Sequence, residues 1–310
     1  MSAQQHVSQL QPEDIYAQKV AALQQLTRRL HSNNRWALAV LWIVATIVTL
    51  IFIWIILRLL LQGFPALSNP GFYAPTGDAS VGAQIFNTFY ILILAELILV
   101  PVSLAAAVFL IEYAPQGRLV TAIHFAAETL SGVPSIVLGL FGYAFFCTFL
   151  GFGLSRIAGA LTLLCLNFPN TLRLFENALD GVSRELREGG LALGASRWRV
   201  VHTVVFPSAM AGIITGIVLS AGKIIGEAAA LIFTMGASNP ANVFTLNPFI
   251  GSDNLTINIY NIQSTGGGLT KAVADTVTSG SAALLIVILL LINLVARYVG
   301  KILQRSVTIT

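Results

Sequence analysis

Six apolar stretches, at 36–61, 85–111, 128–150, 157–175, 209–235 and 276–296, dominate this chain. A bilayer core is crossed by about 20 mostly apolar residues in helical form, because a helix satisfies every backbone N–H and C=O where no water is present. The stretches therefore predict an all-α integral membrane protein with six transmembrane helices. Only 10% of the residues are charged, against roughly 25% in soluble domains, which excludes a soluble enzyme, a disordered chain and a nucleic-acid-binding domain. The first apolar run is too long for a cleaved signal peptide and follows a polar tail, 1–35, which precedes the membrane domain, 36–310.

Orientation follows from the seventeen lysines and arginines. With the amino terminus in the cytoplasm, thirteen of them fall inside, and only Arg58, Arg156 and Lys271 fall outside, with Lys223 in the membrane. That asymmetry predicts both termini in the cytoplasm. The loop at 236–275 is then an outer one, rich in Gly, Asn, Ser and Thr, and 176–207 is the one long inner loop. In the tail, Ile15, Val20, Leu23, Leu26 and Leu30 fall at nearly helical spacing. Such a helix either lies in the membrane interface or extends span one inward. Cys147 and Cys165 sit within spans and read as buried thiols, with no disulfide or metal site implied.

Charges inside the spans are costly and mark function or internal contacts. Span five holds Lys223 and Glu227 at a spacing of four, flanked by Gly222 and Gly226. On one helix face the two would neutralise each other, either as a structural pair or as part of a solute pathway in which Lys223 attracts an anion and Glu227 positions the ammonium. Arg173, beside Glu176, reads as a snorkelling anchor or a second cation on that pathway. Glu96 in span two marks a polar contact inside the bundle, and Pro134 in GVPSIVLGLFG bends or opens span three.

The inner loop reads RELREGGLALGASRWRVVHTVVFPSAMAG from Arg184, and its composition suggests two short surface helices joined at Gly194. Glu188, Gly189 and Gly190, then Gly194 after three residues, then Val204, Phe206 and Pro207 after nine more, resemble the EAA loop of ABC importer permeases. Glycines stand where that pattern has alanines. The resemblance implies a type I ABC importer permease-like fold, with Arg187, Glu188, Leu193 and Gly194 touching a separate ATPase and Pro207 fixing the entry to span five.

GVPSIVLGLFG, RELREGGLALGASRW, SAGKIIGEAAALIFT and INIYN together resemble phosphate importer permeases of the PstA type, from Thr88 to Lys301. That likeness implies a multi-pass bacterial inner membrane subunit, not an enzyme. Its partners would be a homologous second permease, an ATPase dimer, an extracytoplasmic phosphate-binding protein and membrane lipid. No Walker pattern occurs, so no cofactor belongs to this chain and ATP is bound by the partner ATPase. The family usually carries arginine at the position of Lys223, and a lysine keeps the charge while losing the bidentate fork. Two alternatives stay open: a permease for another oxyanion, sulfate or molybdate, and a self-contained ion-coupled carrier or channel.

Overall fold

The computed structural model describes residues 12–115, 117–239 and 243–307, and they are almost wholly helical. The start of the tail, 1–11, and the side chains of 12–33, on which the amphipathic reading rests, lie outside the described residues. Helix α1 (Pro12–Leu67) supplies its first part to one compact unit, residues 1–58, and its last turns to a second, 59–310. In the first unit every described side chain from 36 to 58 is exposed and nearly all are apolar.

The second unit contains α2 (Gly82–Val108), α3 (Arg118–Ser131), α4 (Ser135–Gly142), α5 (Arg156–Asp180), α6 (Arg184–Ala192), α7 (Arg197–Val200), α8 (Phe206–Gly226), α9 (Leu255–Thr265) and α10 (Lys271–Val307). Wider π-type turns extend α2 through Phe109–Tyr113 and α4 through Tyr143–Phe149, and another joins α7 to α8 at Val201–Val205. The last has a cause in the sequence. Pro207 has no N–H and its ring crowds the carbonyl four residues back, so the turn before it opens.

Among the described residues, four helices are long and apolar enough to cross a membrane: Trp36–Leu67, Gly82–Tyr113, Arg197–Gly226 and Lys271–Val295. A bent pair, Arg118–Ser131 with Ser135–Phe149, makes a fifth if counted as one span. Three expectations from the sequence change here. The stretch expected as span three, 128–150, is not one straight helix, because the chain turns by 101° between Arg118–Ser131 and Ser135–Phe149. Pro134 disfavours helical backbone at the residue before it, which ends α3. The helix that carries the expected span five runs from Arg197 to Gly226, and 227–235 is not part of it. The stretch at 157–175 lies in α5 but is not among the apolar four, because Thr162, Asn167, Asn170, Thr171 and Arg173 interrupt its apolar residues.

α5 is the centre of this unit, packed between α2 and α8, while α10 lies against α8 and α9. Helices in lipid gain little from apolar burial and associate by close contact of small residues. Gly216 of α8 shows this: a Cβ there would meet the Phe175 ring of α5 at 2.9 Å. One apolar cluster joins Leu110, Leu172, Phe175, Leu179 and Ile213 near α6; a second joins Ile91, Leu99, Leu163 and Leu231; a third joins Phe72, Val81, Leu255 and Val277 near α9.

Candidate functional site

The segment from Arg184 to Pro207 forms a helical corner. α6 ends where Gly194 takes φ 80°, a left-handed backbone that glycine adopts without strain. The Ala195 N–H then reaches back to the Gly190 carbonyl at 3.3 Å, closing the helix end. Ser196 begins the next helix by accepting from the Arg199 N–H at 3.4 Å. Leu193 stands at the corner, 90% exposed, and Glu188 is also exposed, with no hydrogen bond or ion pair among the described residues. Gly190 faces Val200, where a Cβ would come to 3.0 Å, so the loop's glycine lets α6 lie close on α7. Pro207 sits in the first turn of α8, inside the continuous helical run that begins at Arg197.

Arg187 is placed otherwise than expected. It was read as a surface contact, but its side chain is only 17% exposed and turns into the protein. Its Nε donates to Glu112 Oε1 at 3.0 Å, and its two terminal nitrogens donate at 2.6 Å to the carbonyls of Val182 and Leu179. A guanidinium suits this task, since its fixed fork serves an acid and the open carbonyls at the end of α5 together. Arg187 thus binds α6 to the ends of α2 and α5. Arg187→Met leaves the Glu112 carboxylate without its cation and is expected to cost about 2 kcal/mol of stability, read as a lower melting temperature in detergent with Glu188→Gln as an unaffected control.

An ion pair and a histidine–carboxyl contact tie α3 to α5. His124 Nε2 lies 3.5 Å from Glu176 Oε1, and Arg173 pairs with Glu128 rather than with the neighbouring Glu176. The reason is rotational: on a helix, residues three apart project to nearly the same side, and α3 presents His124 and Glu128 one turn apart to receive them.

Lys223 and Glu227 do not form the expected pair. α8 ends at Gly226, and Glu227 has extended backbone at φ −79°, ψ 122°. Its Oε1 accepts from the Ala230 N–H at 3.1 Å and so caps the turns that follow. A carboxylate beside a flexible glycine competes for backbone donors, and here it stops the helix. Lys223 is exposed in the last turn of α8 and carries no ion pair among the described residues. Glu96 accepts from Ser220 Oγ at 2.6 Å, one turn before Lys223, which is the internal contact the sequence suggested. Arg173 is held by Glu128 of α3, and no ion pair or hydrogen bond joins it to Lys223 or Glu227 among the described residues.

A cluster not singled out from the sequence lies at the start of α5. Arg156 is 1% exposed. Its Nη2 donates to Asn87 Oδ1 at 2.6 Å, its Nε to Ser252 Oγ at 3.1 Å, and its Nη1 to the carbonyls of Thr245 and Asn247. Its guanidinium lies 4.6 Å from the centre of the Tyr90 ring. Asn87 in turn donates to the Asp253 carbonyl at 2.9 Å, and the Asp253 carboxylate receives Ser238, Gln84 and Asn258. One cation and one acid thus fold the loop after α8 onto α2 and α5. The signal was an arginine at a helix start facing a loop of Asn, Ser and Asp, and the sequence reading counted it only as an outer charge.

This fold, with its exposed corner before the long helix of α7 and α8, defines a membrane transport component. The chain belongs to the family of binding-protein-dependent transport system inner membrane components, whose sequence pattern matches residues 100–309. Within it the likeness runs to ABC importer permeases of the PstA type. It is 35% identical over 290 residues to the probable ABC transporter permease protein YqgI of Bacillus subtilis (strain 168), covering 89% of this chain and 98% of that one. It is 32% identical over 233 residues to the phosphate transport system permease protein PstA of Haemophilus influenzae, covering 74% and 81%. In fold it is similar to a chain of a bacterial alginate ABC transporter crystallised with its alginate pentasaccharide-bound periplasmic protein, with a TM-score of 0.61 at 17% identity, covering 86% and 96%.

Proposed function

We propose that this chain is one permease subunit of an ATP-driven importer of inorganic phosphate. It works with a homologous second permease, an ATPase dimer and an extracytoplasmic phosphate-binding protein. Six spans, α4 and α5 being the third and fourth, leave both termini and the α6 corner in the cytoplasm. The observation that carries this reading is the corner itself: an exposed Leu193 and Glu188 on a short helix that Arg187 ties to α2 and α5. A rigid helix so fastened passes a push from an ATPase groove into the membrane helices. Arg187 acts within the chain as a positioning residue, while Glu188, Leu193 and Gly194 meet the ATPase and Pro207 sets the entry to span five.

Phosphate is favoured by the names of the PstA relatives and by an exposed, unpaired Lys223 at the end of α8. Such a cation attracts an oxyanion without having to break an internal pair first. Glu227 shapes the backbone beside it, and Arg173 lies further along the route. Vesicles holding all four components should accumulate phosphate only with ATP. Lys223→Gln in that assembly should slow uptake at least about tenfold, the worth of one charge contact near 1.4 kcal/mol. Uptake of sulfate or molybdate in place of phosphate would move the reading to another oxyanion. Flux through vesicles holding this chain alone would replace it with a self-contained carrier.

A further inference from the structure

Between α2 and the helix that begins at Arg197 runs a groove of about 500 Å³, one wall of which is the last part of the corner and which holds none of the residues read as ATPase contacts or pathway charges. That volume falls in the range of roughly 300–1,000 Å³ typical of small-molecule sites. Its walls are apolar, formed by Leu104, Val108 and Phe109 from one side and Val201 and Phe206 from the other. Both walls belong to helices long and apolar enough to span a membrane.

One end of the groove is different in kind. Tyr113, Trp198 and His202 line it, with the Trp198 and His202 rings 6.1 Å apart. Tyr and Trp prefer the headgroup level, where an apolar ring and a polar edge are both satisfied. Beside them are Arg197 and Arg199, both exposed and without an ion pair among the described residues. Arg197 precedes Val201 by four residues and Arg199 precedes His202 by three, so the two arginines flank this end of the groove from its two sides. The nearby acid, Glu112, is already occupied by Arg187.

We propose that this groove holds one anionic phospholipid of the surrounding bilayer, with an acyl chain between α2 and α8 and its phosphate at Arg197 and Arg199. Basic pockets between membrane helices on the cytoplasmic side take anionic headgroups in this way. The proposal rests on the reading of the Arg197 end as the cytoplasmic boundary of its span. Bound there, the lipid joins the base of the corner to α2 and stiffens the place where a push enters the membrane.

Native mass spectrometry of the full-length chain, purified from equal parts of phosphatidylglycerol and phosphatidylethanolamine, tests it. The wild type should keep one phosphatidylglycerol. Arg197→Gln with Arg199→Gln, and separately Leu104→Trp, should each lower that occupancy at least about fivefold. A photoactivatable phosphatidylglycerol on the unaltered chain gives a measurement free of folding effects, with labelling expected at Val108 and Val201. Equal retention of phosphatidylethanolamine, full retention by both variants, or labelling elsewhere would overturn the site. So would a cysteine at Val108 that cross-links to another polypeptide of the assembled transporter, since the groove would then be a protein contact. Retained lipid in a chain that supports no uptake in any assembly removes the transport reading and leaves this one in place.

Discussion

Glu188→Lys is expected to abolish ATP-driven uptake while leaving the protein inserted and folded. The two halves of that result have separate causes. Glu188 is exposed on α6 and makes no hydrogen bond or ion pair among the described residues, so its reversal breaks nothing inside the chain. At a docked surface the same reversal puts a cation where a carboxylate met its partner. Opposed like charges cost several kcal/mol, and about 3 kcal/mol is a loss of roughly a hundredfold in docking. The measurement is phosphate uptake by the four-component vesicles, beside co-purification of the ATPase and a melting curve. A variant that melts normally, fails to retain the ATPase and transports nothing fits the proposal. One that transports at the wild-type rate removes Glu188 from the contact.

Arg156→Leu should have the largest effect on stability. Leucine fills part of the space, but Asn87 Oδ1, Ser252 Oγ and the Thr245 carbonyl all lose their donor in a buried place. Each such orphaned group costs about 1–3 kcal/mol. The damage should centre on the loop after α8, because Arg156 reaches it at Thr245, Asn247 and Ser252. Limited proteolysis of right-side-out vesicles is expected to cut the variant within 236–254 and to spare the wild type. Arg156→Lys, which keeps the charge but loses the fork, should fall between them. Equal cleavage of all three would mean that the loop holds its fold without this cation.

The sequence stated the class of the protein well because the constraint is severe: a chain with 10% charge and long apolar runs has few soluble options. The corner was legible too, since its spacing and Gly194 carry it. What escaped was anything set by the rotation of one helix against another. Arg187 and Glu188 are neighbours in a loop that looks uniformly charged, and only packing decides that one turns in and the other out. The Lys223 and Glu227 pair failed for a local reason, a glycine that let a carboxylate take a backbone donor. The stretch expected as span four stood out by its apolar residues, yet its polar ones proved the more informative, because Thr162, Asn167 and Thr171 are buried against neighbouring helices.

α5 is fastened at both extremities: Arg156 joins its beginning to the loop after α8, and Arg187 takes hold of the carbonyls at its finish. Its 25 residues reach about 37 Å at 1.5 Å apiece, comparable to the whole hydrocarbon layer. A strut of that length, gripped at each tip by a guanidinium, has little freedom to slide within its neighbours. A displacement of one tip therefore emerges at the other as movement of the same piece, handed on at each end by a guanidinium contact.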